Sequence, residues 1–338
     1  MAVPVAGGIG RPALLELLAD GQLHSGESLA AALGLTRAAV WKGVERLRAL
    51  GIEVQARASR GYRLAAPVEL LEPDRVLAEL SGRARTSLRR FELLFEVDST
   101  NTRLLQVPAP PPGQADVCLS ELQHGGRGRL GRRWVAPFGS GIALSLAWSF
   151  SDAARHLPAL SLSVGVAAVR ALRRLGAGGV GLKWPNDLWY RDRKVGGVLI
   201  EIRAEAGGPA HVVIGAGLNV CLPAAARAEL QAAGAEVAAV DEACPAAPSR
   251  NLVAGTLLDE LLSMLAQYEM MGFAALREEW CALDALGGRE VRLVRGSECT
   301  TGIARGVDAG GALLLEVGGA TQRFVSGETS LRLSAGVN

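Results

Sequence analysis

Residues His124 to Trp134 read HGGRGRLGRRW, with four glycines and four arginines (Arg127, Arg129, Arg132, Arg133) and no acid. Glycines let backbone N–H groups approach a ligand, and guanidinium forks suit carboxylates and phosphates. The pattern predicts a loop that closes on an anion; an RGG-type nucleic-acid-binding loop is the alternative. Its place between two apolar strand-like runs favours the first. GRGRLG (126–131) also matches G-x-G-x-x-G formally. A dinucleotide site needs that motif to open a helix, with an acid about 20 residues on. Here RRWVAPFGSG follows instead, and Asp152, near the right distance, does not end a second strand of a βαβ unit. No G-x-x-x-x-G-K-[ST] exists, which excludes an ordinary P-loop.

A second segment, GLKWPNDLWYRDRKVGGVLIE (181–201), sets polar residues at a turn and runs into an apolar strand. Only three of the 36 basic residues are lysine: Lys42, Lys183 and Lys194. Two of them flank this turn. A lysine kept against such an arginine bias suits a place that needs a compact ammonium rather than a planar fork. A surface Asn-Asp hairpin is the plainer reading, weakened by the lysines and by Gly196-Gly197. IGAGLNV (214–220) brings backbone close to a ligand and offers Asn219. VDSTN (97–101), taken alone, is a helix cap. With only four histidines, no nucleophile–base pair stands out.

These segments need elements to hold them. Residues 12–64 read as three short helices and a hairpin: Ser25 and Thr36 are N-caps, Gly34 and Gly51 are stops. Val40, Val44 and Leu47 form one buried stripe. Trp41, Lys42, Glu45 and Arg46 fall mostly off it, and a hairpin turns at Ser59-Arg60-Gly61. This is a winged helix-turn-helix pattern. Residues 37–63 hold seven cations against two acids, Glu45 and Glu53, which suits a phosphate backbone. A helical cap without a DNA role is the alternative. AAPVELLEPDR (65–75) reads as a linker, and PAPPPG (108–113) as a surface loop.

From residue 91, strands (91–97, 116–122, 142–150, 180–184, 194–204, 211–219) mix with helices (99–106, 156–175, 224–233, 249–271, 273–283). That mixture favours α+β. The last 50 or so residues are short strands with glycine turns, a small β-barrel. Expected domains are a winged helix at 1–66, a central mixed-sheet domain at 67–285 and a barrel at 286–338. The 338 residues are 49% hydrophobic and 21% charged, enough for large cores, and the net charge is only +2. There is no run of 18 apolar residues and no secretory-type leader. Five scattered cysteines without a CxxC pair argue against zinc or disulfides, and for a cytoplasmic protein.

VDSTN, Gln123 with GRGRLGRRW, KWPNDL (183–188), RKVGGVLIE (193–201) and GAGLN (215–219), in this order, resemble biotin protein ligase. With the winged helix, the chain resembles the bifunctional form, ligase and biotin operon repressor, over nearly its whole length. The resemblance implies a catalytic domain of the class II synthetase/biotin ligase type and an SH3-like C-terminal barrel. It implies activation of biotin by ATP and Mg²⁺ to biotinyl-5′-AMP, then transfer to a lysine of a biotin carboxyl carrier protein. Ser99, Thr100, Asn101 and Gln123 would bind biotin's ureido ring, with Arg127, Gly128 and Arg129 covering biotin and phosphates. Lys194 would serve the reacting centre and Lys183 the pyrophosphate. Arg132, Trp134, Asn186 and Asn219 would meet the nucleotide. Asp187 would help bind Mg²⁺ or orient the incoming amine.

Operator DNA would meet Gly26, Thr36, Arg37, Trp41, Lys42, Glu45, Arg46 and Arg60, in a homodimer bound to biotinyl-AMP. The alternative is a biotin-sensing regulator with little ligase activity. One departure stands out. Repressor-type members carry an adenine-packing aromatic after the GAGLN strand, and residues 220–250 contain none. Val220 or Leu222 is the expected substitute. Gly43 inside the recognition helix is also unexpected.

Overall fold

The computed structural model describes residues 10–151, 157, 159–204, 210–325 and 329–333. Asp152 and the first residues of the helix expected from 156 lie outside them.

The N-terminal unit is built as its caps dictate. Helices α1 (Ala13–Leu18), α2 (Gly26–Leu33) and α3 (Arg37–Ala49) precede a hairpin of β1 (Val54–Arg57) and β2 (Gly61–Leu64). Ser25 Oγ accepts from Ser28 N at 2.9 Å and Thr36 Oγ1 from Ala39 N at 3.2 Å. Gly34 takes the left-handed conformation, φ 64°, that ends α2. Val40, Val44 and Leu47 are buried against Leu14, Leu15 and Leu18. This packing explains Gly43: a Cβ there would lie 2.8 Å from Leu14 Cδ2, so the residue lets α1 and α3 approach. Gly61 is equally constrained, because a Cβ would sit 1.9 Å from the His24 carbonyl oxygen, where His24 and Tyr62 exchange backbone hydrogen bonds.

The stretch expected as a linker is not a loose one. Leu71 is fully buried in the central core, and α4 (Pro73–Ala78) and α5 (Gly82–Ser87) follow it. Sequence reading missed both helices. They are six residues each, too short to show periodicity.

The central sheet has seven strands in the order β3-β4-β5-β9-β8-β7-β6. These are β3 (Leu88–Val97), β4 (Ala115–Gln123), β5 (Gly141–Phe150), β6 (Gly181–Lys183), β7 (Asp187–Tyr190), β8 (Arg193–Ala204) and β9 (Ala210–Asn219). Only β3 and β4 pair in parallel; the rest are antiparallel, which gives the expected mixed α+β sheet. The long helices α7 (Leu160–Arg174) and α9 (Arg250–Met271) supply the core on one face. Helix α6 (Thr100–Leu105) covers β4, β5 and β9 on the other, through Leu104 against Cys118, Ala147 and Val213. Helices α8 (Ala224–Ala232) and α10 (Arg277–Leu283) complete this region.

The C-terminal strands form an antiparallel five-stranded sheet, ordered β13-β12-β11-β10-β14. They are β10 (Glu290–Arg295), β11 (Glu298–Val307), β12 (Leu313–Val317), β13 (Ala320–Phe324) and β14 (Thr329–Leu333).

The N-terminal unit is docked on the central sheet. Phe95 and Leu122 of that sheet lie in the same apolar cluster as Leu14 and Leu47. Behind them Glu121, its side chain fully buried, accepts from Leu71 N at 2.6 Å and pairs with Arg250 at 3.0 Å. Arg250 also donates to the carbonyls of Glu69 and Gly141. Removing one member of such a pair leaves an uncompensated buried charge. Arg250→Ala is expected to destabilise the chain by about 3 kcal/mol or more, whereas exposed Arg75→Ala changes it by less than about 1 kcal/mol. Urea unfolding followed by circular dichroism checks this; equal, small effects would contradict it.

Candidate functional site

The segments singled out by their chemistry meet in one cavity of about 380 Å³ on the α6 side of the sheet. Lys194, Arg129, Lys183, Asp187, Ser99, Thr100, Asn101, Gln123, Arg127, Gly128, Arg132, Trp134, Asn186 and Asn219 all line it.

One end is a neutral hydrogen-bonding cluster at the start of α6. Ser99 caps the helix, its Oγ accepting from Thr102 N. Ser145 Oγ donates to Thr100 Oγ1 at 2.6 Å and is equally near Asn101 Oδ1. Thr100 donates through N (2.9 Å) and Oγ1 (3.1 Å) to Gln123 Oε1. Asn101 Nδ2 donates to Glu201, which also pairs with Arg127 at 3.2 Å. Arg127 donates to Thr102 Oγ1 as well. Sequence reading missed Ser145, Glu201 and Thr102. Glu201 sits inside the quoted RKVGGVLIE motif, but nothing local shows that it faces Asn101. Gly215 makes room here, since a Cβ would lie 2.5 Å from Asn101 Oδ1.

The middle is cationic. Lys194 Nζ lies 2.7 Å from Asp187 Oδ1 and 5.7 Å from the Trp134 ring centroid. Across the β7–β8 ladder Asp187 pairs with Gly197 and Lys194 with Trp189, with a register shift between Leu188 and Trp189, so the two side chains meet on the diagonal. Sequence reading did not place β7, whose four residues follow the WPN turn directly. Gly197 leaves space for the pair, because a Cβ would stand 3.1 Å from Lys194 Nζ and 3.4 Å from Asp187 Oδ1. Arg129 Nη1 donates to Asn186 Oδ1 at 3.3 Å. Burial above all lowers the Arg129 pKa; Asp187 opposes this and Arg132 adds to it. Asn186 is fixed to Val198 by reciprocal bonds, Nδ2 donating to its carbonyl and Val198 N to that of Asn186. Lys183 Nζ sits over Trp189, 4.2 Å from the ring centroid.

The Gly-Arg loop is a hairpin rather than a helix start. Gly128 N donates to the Arg132 carbonyl and Trp134 N to that of Gly126, around a 3₁₀ turn at Arg129–Gly131. The dinucleotide fingerprint therefore lacks its helix. At the hairpin tip Leu130 is 61% exposed with φ 58°.

At the other end the indole of Trp134 lies on Gly217, where a Cβ would be 2.6 Å from it. Asn219 Nδ2 donates to the Ala238 carbonyl. The apolar wall here is Leu230, Ala235 and Val237. This corrects the expectation for Val220 and Leu222. Val220 is buried in the central core, and Leu222 packs in the cluster of Val237 rather than lining the cavity.

Of the residues expected at DNA, Thr36, Arg37, Trp41, Lys42, Arg46 and Arg60 are exposed, and Gly26 and Glu45 are half-buried. Among the described residues the side chains of Arg37, Lys42, Arg57 and Arg60 make no intramolecular hydrogen bond or ion pair. Glu45 is instead engaged by Arg48 at 2.7 Å, and Arg48 also donates to the Val54 carbonyl in the wing. Arg46 reaches Glu96 of the central sheet at 3.7 Å. The free cationic face is therefore narrower than composition suggested.

A winged helix, a mixed sheet carrying a cationic cavity and a small C-terminal sheet define a three-part protein with a helix-turn-helix and an anion-binding centre. The comparisons agree. Residues 94–219 match the Biotin/lipoate A/B protein ligase family, residues 11–63 an HTH domain, and residues 286–332 the Biotin protein ligase C terminal domain. The chain is 38% identical to the bifunctional ligase/repressor BirA of Escherichia coli strain K12, covering 94% of this chain and 96% of that protein. It is 30% identical to the bifunctional ligase/repressor BirA of Bacillus subtilis strain 168, over 95% and 98%. The biotin protein ligase of Aquifex aeolicus, solved in complex with biotin and ATP, is 26% identical with a TM-score of 0.61, over 72% of this chain and 99% of that one. The chain belongs to the bifunctional biotin ligase/repressor family: a biotin protein ligase with an N-terminal helix-turn-helix domain. No helix among the described residues is long and apolar enough to cross a membrane.

Gly217→Ala would push the indole of Trp134 out of its seat. If the nucleotide is the ligand seated on that indole, ATP binding is expected to weaken at least about tenfold, equivalent to about 1.4 kcal/mol, while biotin binding shifts much less. Calorimetric titration with each ligand tests this; equal losses for both would contradict it.

Proposed function

We propose that biotin occupies the Ser99–Thr100–Asn101–Gln123 end and ATP the Trp134–Asn219 end. The observation that carries this is one continuous cavity with a neutral donor–acceptor cluster, a cationic middle and an aromatic–aliphatic far end. A ureido ring needs donors and acceptors in a plane. A purine needs an apolar wall and an amide. Between them a carboxylate oxygen attacks the α-phosphorus of ATP, pyrophosphate leaves, and biotinyl-5′-AMP forms. The amine of an acceptor lysine then attacks the acyl carbon and AMP leaves.

Both steps depend on positioning and on charge stabilisation at oxygens. Lys194 sits where the carboxylate and α-phosphate would meet. Arg127, Gly128, Arg129 and Arg132 cover them from the hairpin, and Lys183 faces the departing pyrophosphate. Asn186 holds Arg129 in place. Asp187 orients Lys194 and is placed to accept a proton from the incoming ammonium. Mg²⁺ fits as a partner of the ATP phosphates rather than a resident of the protein. Asp187 is the one carboxylate lining the cavity and it is engaged by Lys194, and no group of three acids, histidines or cysteines among the described residues could hold a metal. When bound, Mg²⁺ would neutralise charge on the leaving pyrophosphate.

The acceptor is a biotin carboxyl carrier protein, and the winged helix binds operator DNA as a homodimer loaded with biotinyl-AMP, in the cytoplasm. Domain boundaries fall at 66/67 and 285/286. A two-fold dimer reading one half-site per subunit calls for an inverted repeat.

Biotin-dependent ATP–pyrophosphate exchange tests the assignment, followed by detection of biotin on a carrier domain. No exchange in folded protein would leave a biotin-sensing regulator in its place. In the same assay Lys194→Arg keeps the charge but loses the compact ammonium seated against Asp187. Exchange should slow at least tenfold, about 1.4 kcal/mol in the barrier. A wild-type rate would remove Lys194 from the reacting centre.

A further inference from the structure

Trp41 is 53% exposed on α3, an unusual place for an indole. It lies one helical turn from Arg37 and next to Lys42, both exposed and unpaired among the described residues. The neighbour on its other side, Glu45, is drawn away by Arg48, which is itself anchored to the wing. The N-terminal half of α3 thus presents one large apolar group between free cations. Val40 and Val44, on the adjoining flank of the helix, are buried, whereas the ring itself stays outside the core. The charge complements a phosphate backbone and the shape complements a groove.

We infer, on the reading that this helix enters the major groove of DNA, that Trp41 reads a thymine in each half-site. Residues in the first turns of a recognition helix meet base edges. Among the four bases only thymine shows an apolar group in the major groove, its C5-methyl, and it carries the O4 acceptor beside it. Indole offers the complement: an apolar face and a single N–H donor. Guanine and adenine offer acceptors for the N–H but no methyl for the ring face, and cytosine sets a donor against a group that cannot accept. Arg37 and Lys42 fix the register on the phosphates and leave the choice of base to Trp41.

The test uses the full-length protein with biotin and ATP. Its binding sequence is selected from random duplexes. Each thymine of that sequence is then replaced singly by deoxyuridine, which lacks only the methyl. One replacement per half-site should weaken binding by about fivefold, in line with the loss of one base contact. In Trp41→Ala that penalty should vanish and selection should no longer fix thymine there. Trp41→Phe keeps an apolar ring and should keep the methyl penalty. If wild type selects no sequence, the DNA reading itself fails and the inference falls with it. If a sequence emerges but every deoxyuridine is silent, or Trp41→Ala keeps the same penalty, only the inference is overturned. A change from dimer to monomer in Trp41→Ala, with base preference unaltered, would assign the face to a second copy of the chain instead.

Discussion

A carboxylate and a polyphosphate repel, and a site that joins them must hold cations at fixed positions between them. Lys194 meets this constraint through backbone geometry. Its ammonium is held 2.7 Å from Asp187 across a ladder that shifts register beside them. Gly197 supplies no side chain where the pair sits. The backbone of Lys194 is held on its other edge, its N–H donating to the Glu236 carbonyl and its carbonyl accepting from Ala238 N. Arg129 comes from a separate hairpin and donates to Asn186, which is itself fixed to Val198. A longer or branched residue at position 197 would push the ammonium out of this seat.

That centre is tied to all three parts of the molecule. Trp184, at the turn between Lys183 and Asn186, donates through Nε1 to the Gly311 carbonyl in the turn between β11 and β12 of the C-terminal sheet. Gly311 can come this close because it has no side chain: a Cβ would meet Ala159 at 2.4 Å. On the far side, Arg250 holds the Gly141 carbonyl, and Gly141 pairs with Asn219 at the cavity rim. The same Arg250 grips Glu69 and Glu121, where the chain leaves the winged helix, and Arg11 at the start of that unit donates to the Leu71 carbonyl. The winged helix is therefore a docked part of one sheet-centred body. A shift at the Asn219 end of the cavity has a buried polar route towards it.

Much of this was legible in the sequence because the chemistry is concentrated in short segments of unusual composition. Four arginines among four glycines, and two of three lysines around one turn, announce an anion site in any fold. Capping residues such as Ser25, Thr36 and Ser99 marked helix starts because their effect is local. What stayed hidden depends on contacts distant in sequence. Glu201 is 100 residues from Asn101, and Ser145 is 45 from Thr100. The cost of Gly43 looked like a defect until Leu14 was seen packed against it. Arg46 and Arg48 counted as DNA-facing charge in sequence, yet the fold assigns them partners at Glu96, Glu45 and Val54. Charge tallies overstate a binding face wherever cations also hold domains together.

The missing aromatic in residues 220–250 acquires a different meaning from the geometry. Stacking on an aromatic would add about 0.5–1.5 kcal/mol beyond buried area. Leu230, Ala235 and Val237 forgo that. Yet Val237 lies in the segment whose neighbours, Glu236 and Ala238, are hydrogen-bonded to the backbone of Lys194. The wall proposed for the base and the cation proposed for the reacting centre thus share one bridge. A wall braced by such backbone bonds gives up less conformational entropy on binding than a loop that must fold over the nucleotide. It also has less change of state to hand on to a distant surface, because a ligand shifts an equilibrium only through its differential affinity for two states. Bracing of this kind favours catalysis over signalling, and the Gly141–Arg250–Glu121 link offers a separate buried polar connection towards the winged helix.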